Sequence, residues 1–383
     1  MNRAAVIPHA DLYFAIDRSL LMAALALAIM GLVMVASASV EIAQSLTGNA
    51  LYFAFRQALY LAMALALGFA MLRIPMDFWR KQDWLLLGLT LALLVAVLIP
   101  GIGRTVNGSS RWLSLGLFNL QASEVAKIAT VFYTASYLVR REQEVRTSLW
   151  GFVKPLLVVC VFAVLLLMEP DLGALVVILT AVTGVLFIAG VRWLHFGALV
   201  LTGAAGVAIL AITSPYRLKR LTAYLDPWAD QFDTGYQLVQ ALIAFGRGEL
   251  AGVGLGNSIQ KLSFLPEAHT DFVFAIIGEE LGLMGSLIII ALFAIVAWRG
   301  LYIAMEAQRA GQAYQAYVAY GITFVLTFQA VVNLGVNTGL LPTKGLTLPF
   351  VSYGGSSLLM SGACIGILLR CHAEAVRARE AAT

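Results

Sequence analysis

Ten stretches of the chain are apolar over the length of a bilayer-spanning helix, and most polar residues fall between them. A span needs about 20 predominantly apolar residues. On that measure helices are predicted near 19–40, 51–72, 83–99, 122–140, 153–168, 172–190, 195–213, 271–298, 314–337 and 350–370. These runs lack the period-two alternation of strands. Backbone groups in lipid must be satisfied within the segment, so the expected fold class is all-α, a polytopic membrane protein of about ten helices rather than a porin-like barrel. The longest connection, 214–270, is rich in Arg, Lys, Tyr, Pro and Gly and is too polar to be wholly embedded. It is expected to be a structured loop. With no solenoid repeat and no low-complexity linker, residues 1–383 read as one integral domain.

Composition agrees: 61% of residues are hydrophobic and 12% charged, where a soluble domain has about 25% charged residues. The formal net charge of +4 does not indicate nucleic acid, because the basic residues are scattered between apolar runs. Their placement fits topology better. Cys160, Cys364 and Cys371 lie within or at the end of apolar runs without CxxC spacing, so neither a metal site nor a disulfide framework is suggested. The first apolar run is longer than a signal-peptide core and no cleavage pattern precedes it, so it is read as a retained span. Placing the N-terminus in the cytoplasm puts 15 Lys and Arg on the inner side against 8 outside, five of the eight in the long loop. Both termini are therefore expected to be cytoplasmic, with 214–270 outside.

Ionisable residues inside spans cost about 2.5–3.5 kcal/mol each on insertion scales and usually face a cavity or a partner. With this orientation Arg56, Glu124, Lys127, Glu169, Asp171 and Asp271 all fall near the outer ends of their helices. Glu279 and Glu280 reach deeper, about 12–14 Å beyond Asp271 along the eighth helix. Glu124 and Lys127 are spaced to pair on one helix face, either as a structural ion pair or as the lining of a polar cavity. Arg56 serves helix packing or holds an anion such as a phosphate. Glu169-Pro-Asp-Leu-Gly173 puts two carboxylates at a junction between spans, with Asp171 as a helix N-cap or as part of a cavity rim.

The richest polar cluster is Phe264-Leu-Pro-Glu-Ala-His-Thr-Asp-Phe272, with Glu267, His269, Thr270 and Asp271 at the mouth of a span. Asp271 is expected to cap the helix, and the helix dipole that favours a capping carboxylate also keeps it ionised, as a general base must be. His269, a single histidine without a paired nucleophile, reads first as an interfacial residue. The segment 333–357 breaks the helical pattern with Pro and Gly and supplies hydroxyls and amides, including Ser352, as expected of irregular backbone lining a cavity. Lys344 within it offers positive charge for a diphosphate.

These motifs, together with Gly235-Tyr-Gln-Leu-Val-Gln240, Gly252-Val-Gly-Leu-Gly-Asn257 and Leu348-Pro-Phe-Val-Ser-Tyr-Gly-Gly-Ser-Ser357, closely resemble the SEDS proteins of shape, elongation, division and sporulation over nearly the whole chain. Ala268 and Leu341-Pro-Thr-Lys-Gly-Leu-Thr347 look more like the division branch than the elongation branch, where Arg commonly replaces the alanine. The resemblance implies a peptidoglycan glycosyltransferase of the bacterial cytoplasmic membrane, at the division septum. Its implied substrate is lipid II, and its implied partners are a class B penicillin-binding protein and other division membrane proteins. It also implies that Asp271 is the essential aspartate, while Glu124, Lys127 and Asp171 belong to a central cavity. Turning an α-linked diphosphate sugar into a β-1,4 linkage requires inversion, so a single in-line displacement suffices, with a sugar hydroxyl in place of the water of inverting glycosidases. Asp271 is then the expected base, and Arg56, Glu124, Lys127, Asp171, Arg217, Glu267, His269, Lys344 and Ser352 the expected substrate-binding set. Arg56, Lys127, Arg217, Lys344 or a divalent cation (Mg or Mn) would offset charge on the departing diphosphate. Two rival readings are a lipid II flippase, which needs a polar path through the full membrane with Glu279 and Glu280 as its best residues, and a non-catalytic division scaffold.

Overall fold

A computed structural model describes residues 16–106, 109–114, 116, 118–213, 223–342 and 345–382. Each of the ten expected spans coincides with a helix. These are α1 (Arg18–Thr47), α2 (Tyr52–Arg73), α4 (Asp83–Leu98), α5 (Ala122–Thr147), α6 (Leu149–Met168), α7 (Leu172–Ile188), α8 (Trp193–Ile212), α10 (Val273–Arg309), α11 (Ala313–Asn337) and α12 (Gly355–Glu380). Six of them, α1, α2, α6, α10, α11 and α12, have the length and apolarity to cross a membrane; α4, α7 and α8 are shorter apolar helices. The tenth, α5, is long but carries Glu124 and Lys127 in its first two turns and a charged stretch from Arg140 to Arg146 at its end.

Two short helices fall in connections: α3 (Met76–Lys81) between α2 and α4, and α9 (Tyr236–Gly248) inside the long loop. The bundle is helical as expected, with one small addition between α4 and α5. There β1 (Gly103–Val106), β2 (Ser109–Ser114) and β3 (Asn119–Gln121) form a three-stranded antiparallel sheet. Gly103 pairs with Leu113, and Trp112 with Gln121. Strands this short have no apolar period to detect, although Asn107-Gly108 between β1 and β2 is a hairpin signal in the sequence.

Small residues set a close helix contact. A Cβ added at Gly362 would lie 2.4 Å from the carbonyl oxygen of Ala64, and one at Gly366 would lie 2.1 Å from that of Gly68. The Gly362-x-x-x-Gly366 spacing therefore lets α12 press backbone to backbone on α2, as small residues do between helices in lipid. Alternate helices run in opposite directions, so the bundle has two polar ends. At one, Asp17 caps α1 and pairs with Arg299 of α10, Asp83 pairs with Arg140 at 2.6 Å, and Glu306 pairs with Arg379 at 2.7 Å. The N-termini of α2, α5, α7, α10 and α12 gather at the other, and the candidate site lies there.

Candidate functional site

Residues 345–354 organise the site. This segment has no regular secondary structure, yet Leu346, Leu348, Phe350, Val351 and Ser352 are buried, with α1, α2, α7 and α11 against them. Irregular backbone so deep in a helical bundle needs partners for its N–H and C=O groups. The main supplier is α11. Gln329, Asn333 and Asn337 recur every fourth residue, which places three amides on one stripe of an otherwise apolar helix. Gln329 donates to the carbonyl of Thr347 at 3.0 Å, and Asn333 donates to that of Leu346 at 2.6 Å. Asn333 and Asn337 each donate to the carbonyl of Asp271 at 2.9 Å. Two loops are thus fastened to one helix face.

That stripe locates Asp271. The expected cap is corrected here: α10 starts at Val273 with Phe272 as its N-cap and no side-chain cap bond, so Asp271 sits one residue outside the capping position. Its carboxylate lies against the backbone at Gly345, where a Cβ would come within 2.9 Å of Oδ2. Glycine at 345 therefore leaves room in front of the acid. Lys344, the preceding residue, lies outside the described residues, as does Arg217.

Glu124 and Lys127, in the first two turns of α5, form a buried ion pair at 2.8 Å, and Lys127 donates its second bond to Gln329 at 2.6 Å. The pair is thereby joined through Gln329 to Thr347, whose hydroxyl meets Ser357 at 2.8 Å. Asp171 caps α7 by accepting from Ala174 N at 3.1 Å, while its other oxygen accepts from Ser123 at 2.8 Å and Gln121 at 3.1 Å. The cap uses one oxygen and leaves the other to tie α7 to β3 and the start of α5. Ser352 is buried, and its hydroxyl accepts from Leu348 N at 2.9 Å to close a turn. Its contacts are internal.

Arg56 occupies a different wall. Its guanidinium donates to the hydroxyls of Tyr52 at 2.8 Å and Tyr60 at 3.0 Å on its own helix. Tyr60 packs on Tyr353, and Tyr353 packs on His269 with ring centroids 5.6 Å apart. Phe53 completes the cluster at 4.9 Å from the imidazole. Burial holds the His269 pKa below its usual value, against a smaller opposing push from Glu267, so the ring is neutral at pH 7. Glu267 itself is exposed, with a left-handed φ of 58°, and accepts from Thr270 at 2.6 Å within its own turn.

Glu169 behaves unlike the other acids. It is fully buried, and no group among the described residues hydrogen-bonds its carboxyl. Arg111 of β2 donates instead to the carbonyls of Glu169 at 3.0 Å and Pro170 at 2.6 Å. Burial, reinforced by the charge of Asp171, pushes the Glu169 carboxyl up to about 8. Among the described residues no three His, Cys, Asp or Glu side chains converge as a metal centre. A Mg or Mn ion here would take one or two carboxylates plus phosphate oxygens of the substrate, the usual habit of Mg²⁺.

The structure thus joins Asp271, Glu124, Lys127 and Asp171 around residues 345–357, and sets Arg56 with His269 in an adjoining aromatic wall. Sequence reasoning missed Gln329, Gln121, Ser123 and Arg111, whereas Asn333, Asn337 and Tyr353 fall in the segment 333–357 expected to line a cavity. The four-residue spacing of Gln329, Asn333 and Asn337 was the available signal.

Comparison with known proteins gives consistent results. A family model described as a cell cycle protein, FtsW, RodA and SpoVE, matches residues 17–377. A protein of Hahella chejuensis named "Probable peptidoglycan glycosyltransferase FtsW" is 64% identical, over 94% of this chain and 91% of its own. A protein of Pseudomonas fluorescens with the same name is 53% identical over 94% and 88%. Among solved structures, a chain from work on a peptidoglycan synthase complex that coordinates polymerization and crosslinking superposes with a TM-score of 0.76 at 29% identity, covering 94% of this chain and 98% of that one. The rod shape determining protein RodA of Thermus thermophilus superposes with a TM-score of 0.70 at 28% identity, over 94% and 97%.

Proposed function

The chain belongs to the FtsW, RodA and SpoVE family of multi-pass membrane proteins, and from that premise we propose that it is the division-type peptidoglycan glycosyltransferase of its cell, polymerising lipid II. The observation that carries the reading is the placement of Asp271, an acid held by its backbone on two asparagines with its carboxylate over a glycine. The acceptor sugar hydroxyl gives its proton to Asp271 as its oxygen attacks the donor's anomeric carbon. The bond from that carbon to the diphosphate breaks in line, and the diphosphate leaves with the electron pair. Configuration inverts in one step, so no enzyme-bound sugar is required.

Charge on the leaving diphosphate needs a cation. Glu124 already balances Lys127, so that pair serves better to hold residues 345–357 in place. The guanidinium of Arg56 is oriented by the Tyr52 and Tyr60 hydroxyls at the start of α2, beside the aromatic wall of Tyr353 and His269. That place makes Arg56 our candidate for the diphosphate among the described residues, with Arg217 and Lys344 as further candidates from the sequence. His269, neutral and buried in the aromatic wall, shapes the site rather than transferring protons. A neighbour from a complex that polymerises and crosslinks supports a class B penicillin-binding protein as partner, with other division proteins nearby. The excess of Lys and Arg at the end bearing the termini supports an orientation with both termini in the cytoplasm and the site on the outer face of the cytoplasmic membrane, at the septum.

The test is polymerisation of lipid II by the purified protein with its penicillin-binding partner, read as glycan chains on a gel. Asp271→Asn is expected to fold normally and lose activity by about 100-fold or more, the range of a lost general base. A folded Asp271→Asn that polymerises as fast as the wild type would sink the mechanism. A wild type that makes no polymer but moves labelled lipid between leaflets would replace it with transport.

A further inference from the structure

Helix α10 continues past Gly282, but its hydrogen-bond ladder does not. Gly282 has φ 67° and ψ −163°, and the chain at 249–254 enters the gap. Val253 N and Gly254 N donate to the carbonyls of Glu279 and Glu280, both at 3.0 Å. In return Leu283 N and Met284 N donate to the carbonyls of Glu249 at 2.9 Å and Leu250 at 3.2 Å. The groups orphaned by a helix break are thus satisfied by a segment of the long loop. The approach is close enough to need glycine, since a Cβ on Gly252 would fall 2.2 Å from the carbonyl oxygen of Glu280.

The side chains of the same two glutamates complete the splice, and both residues are fully buried. Glu279 accepts from Arg247 at 2.6 Å, from Ser258 Oγ, from Ile259 N at 3.0 Å and from Gln260 N at 3.3 Å. Glu280 accepts from Lys261 at 2.7 Å and from Ser37 of α1 at 2.8 Å, and Lys261 donates to Ser37 as well at 2.9 Å. Adjacent buried carboxylates are expensive unless each is fully bonded, and only an acceptor-only group can collect this many donors. If bridging the break were their only task, the backbone bonds would already suffice. Their side-chain bonds go instead to Arg247 of α9, to 258–261 and to α1. From there Leu265 N is tied to Gln260 O at 2.8 Å, and Phe272 N to Glu267 O at 3.1 Å, so the tethering runs on to Asp271.

We infer that Glu279, Glu280, Arg247 and Lys261 are positioning residues for Asp271. They lock 249–272 and the first turns of α10 into one body hung from Ser37, and that body sets where the Asp271 carboxylate sits. The assignment rests on the polymerase reading for its consequence, and on the splice for its geometry. It also gives these acids a task other than the polar path expected of a transporter.

The experiment compares Lys261→Met, Lys261→Arg and Ser37→Ala in the full-length protein with its penicillin-binding partner and lipid II. Val185→Ala, at the opposite end of α7, serves as a control that lowers stability without touching the splice. Lys261→Met is expected to lower kcat by about 10- to 100-fold with KM within about twofold, the signature of a misplaced group. Lys261→Arg should restore most of the rate. Amide exchange in 249–272 should accelerate in Lys261→Met while α11 and α12 keep their protection. Wild-type kcat and wild-type exchange in Lys261→Met would overturn the assignment, as would an equal kcat loss in Val185→Ala. Should Lys261→Met fail to fold, Ser37→Ala is read on the same two measures, and no change in either overturns it. Exchange needs no turnover, so it decides whether these residues hold the segment even if the wild type makes no polymer, an outcome that would remove the polymerase reading instead.

Discussion

Helices α5 and α8 are the two extremes of this bundle. The first carries a buried Glu and a buried Lys, and every residue from 126 to 138 is buried. The second is almost wholly apolar and buries none of its described residues; Trp193, Leu194 and Leu201 are 82%, 67% and 71% exposed. In a water-soluble protein the order would be reversed. In lipid the apolar helix belongs outside and the polar one at the centre, because charge is tolerated only where another protein group meets it. Charge within a span is therefore a better guide to the middle of this molecule than hydrophobicity. The helix least able to cross a membrane by composition is the one around which the site is built.

The hardest test of that contrast is to remove one charge from α5. Lys127→Met leaves Glu124 buried without its counter-ion, and breaking one side of a buried pair costs about 3–5 kcal/mol. A large loss of thermal stability in detergent is expected, with loss of polymerisation. Replacing both partners, Glu124→Gln with Lys127→Met, should recover most of the stability, because the uncompensated charge is gone. Activity separates the possible roles. If the double variant regains stability and rate together, the pair is a packing element. Recovered stability with the rate still low would place its charges in the working site.

The contrast also explains what was readable in advance. All ten helices were legible as mainly apolar runs, and the cluster of charges at one end was legible because alternate helices deliver every second N-terminus there. The Glu124–Lys127 pairing followed from helical spacing alone. Less was visible where the fold depends on chain segments distant in sequence. Nothing local shows that the backbone of 249–254 replaces the missing ladder at Gly282, or that Asp271 sits outside the cap rather than on it. The sheet at 103–121 was hidden by the shortness of its strands. Of the amide stripe of α11, Asn333 and Asn337 were legible within the polar segment 333–357, whereas Gln329 was not, because its partner Thr347 lies beyond the end of the helix.

Glu169 sharpens the rule about buried charge by lacking a bonded counter-charge. A carboxyl in that position stays protonated, and its pKa of about 8 lies above the ordinary 4.5. The sign follows from linkage. The folded state holds the proton more tightly than the unfolded state, so the contribution is fully present below about 4.5 and is lost as pH rises to about 8. Melting temperature should therefore fall as pH is raised through that window. Glu169→Gln, which keeps the shape but cannot ionise, should flatten the decline while leaving low-pH stability close to wild type. A slope unchanged in Glu169→Gln would mean that another group titrates.

The smallest effect belongs to α8, and a matched pair of identical deletions measures it. Leu138 of α5 is 1% exposed and Leu201 of α8 is 71% exposed. Truncating a buried leucine to alanine loses its packing contacts and leaves a cavity, at a cost of about 2–5 kcal/mol. Truncating Leu201 exchanges one lipid-facing apolar group for a smaller one, with no cavity and no orphaned partner, so the change should stay within about 0.5 kcal/mol. Thermal unfolding of the two variants in one detergent reads the difference directly. Equal losses would mean that α8 is covered in the assembled protein, and the contrast between the two helices would then describe the isolated chain rather than the protein at work.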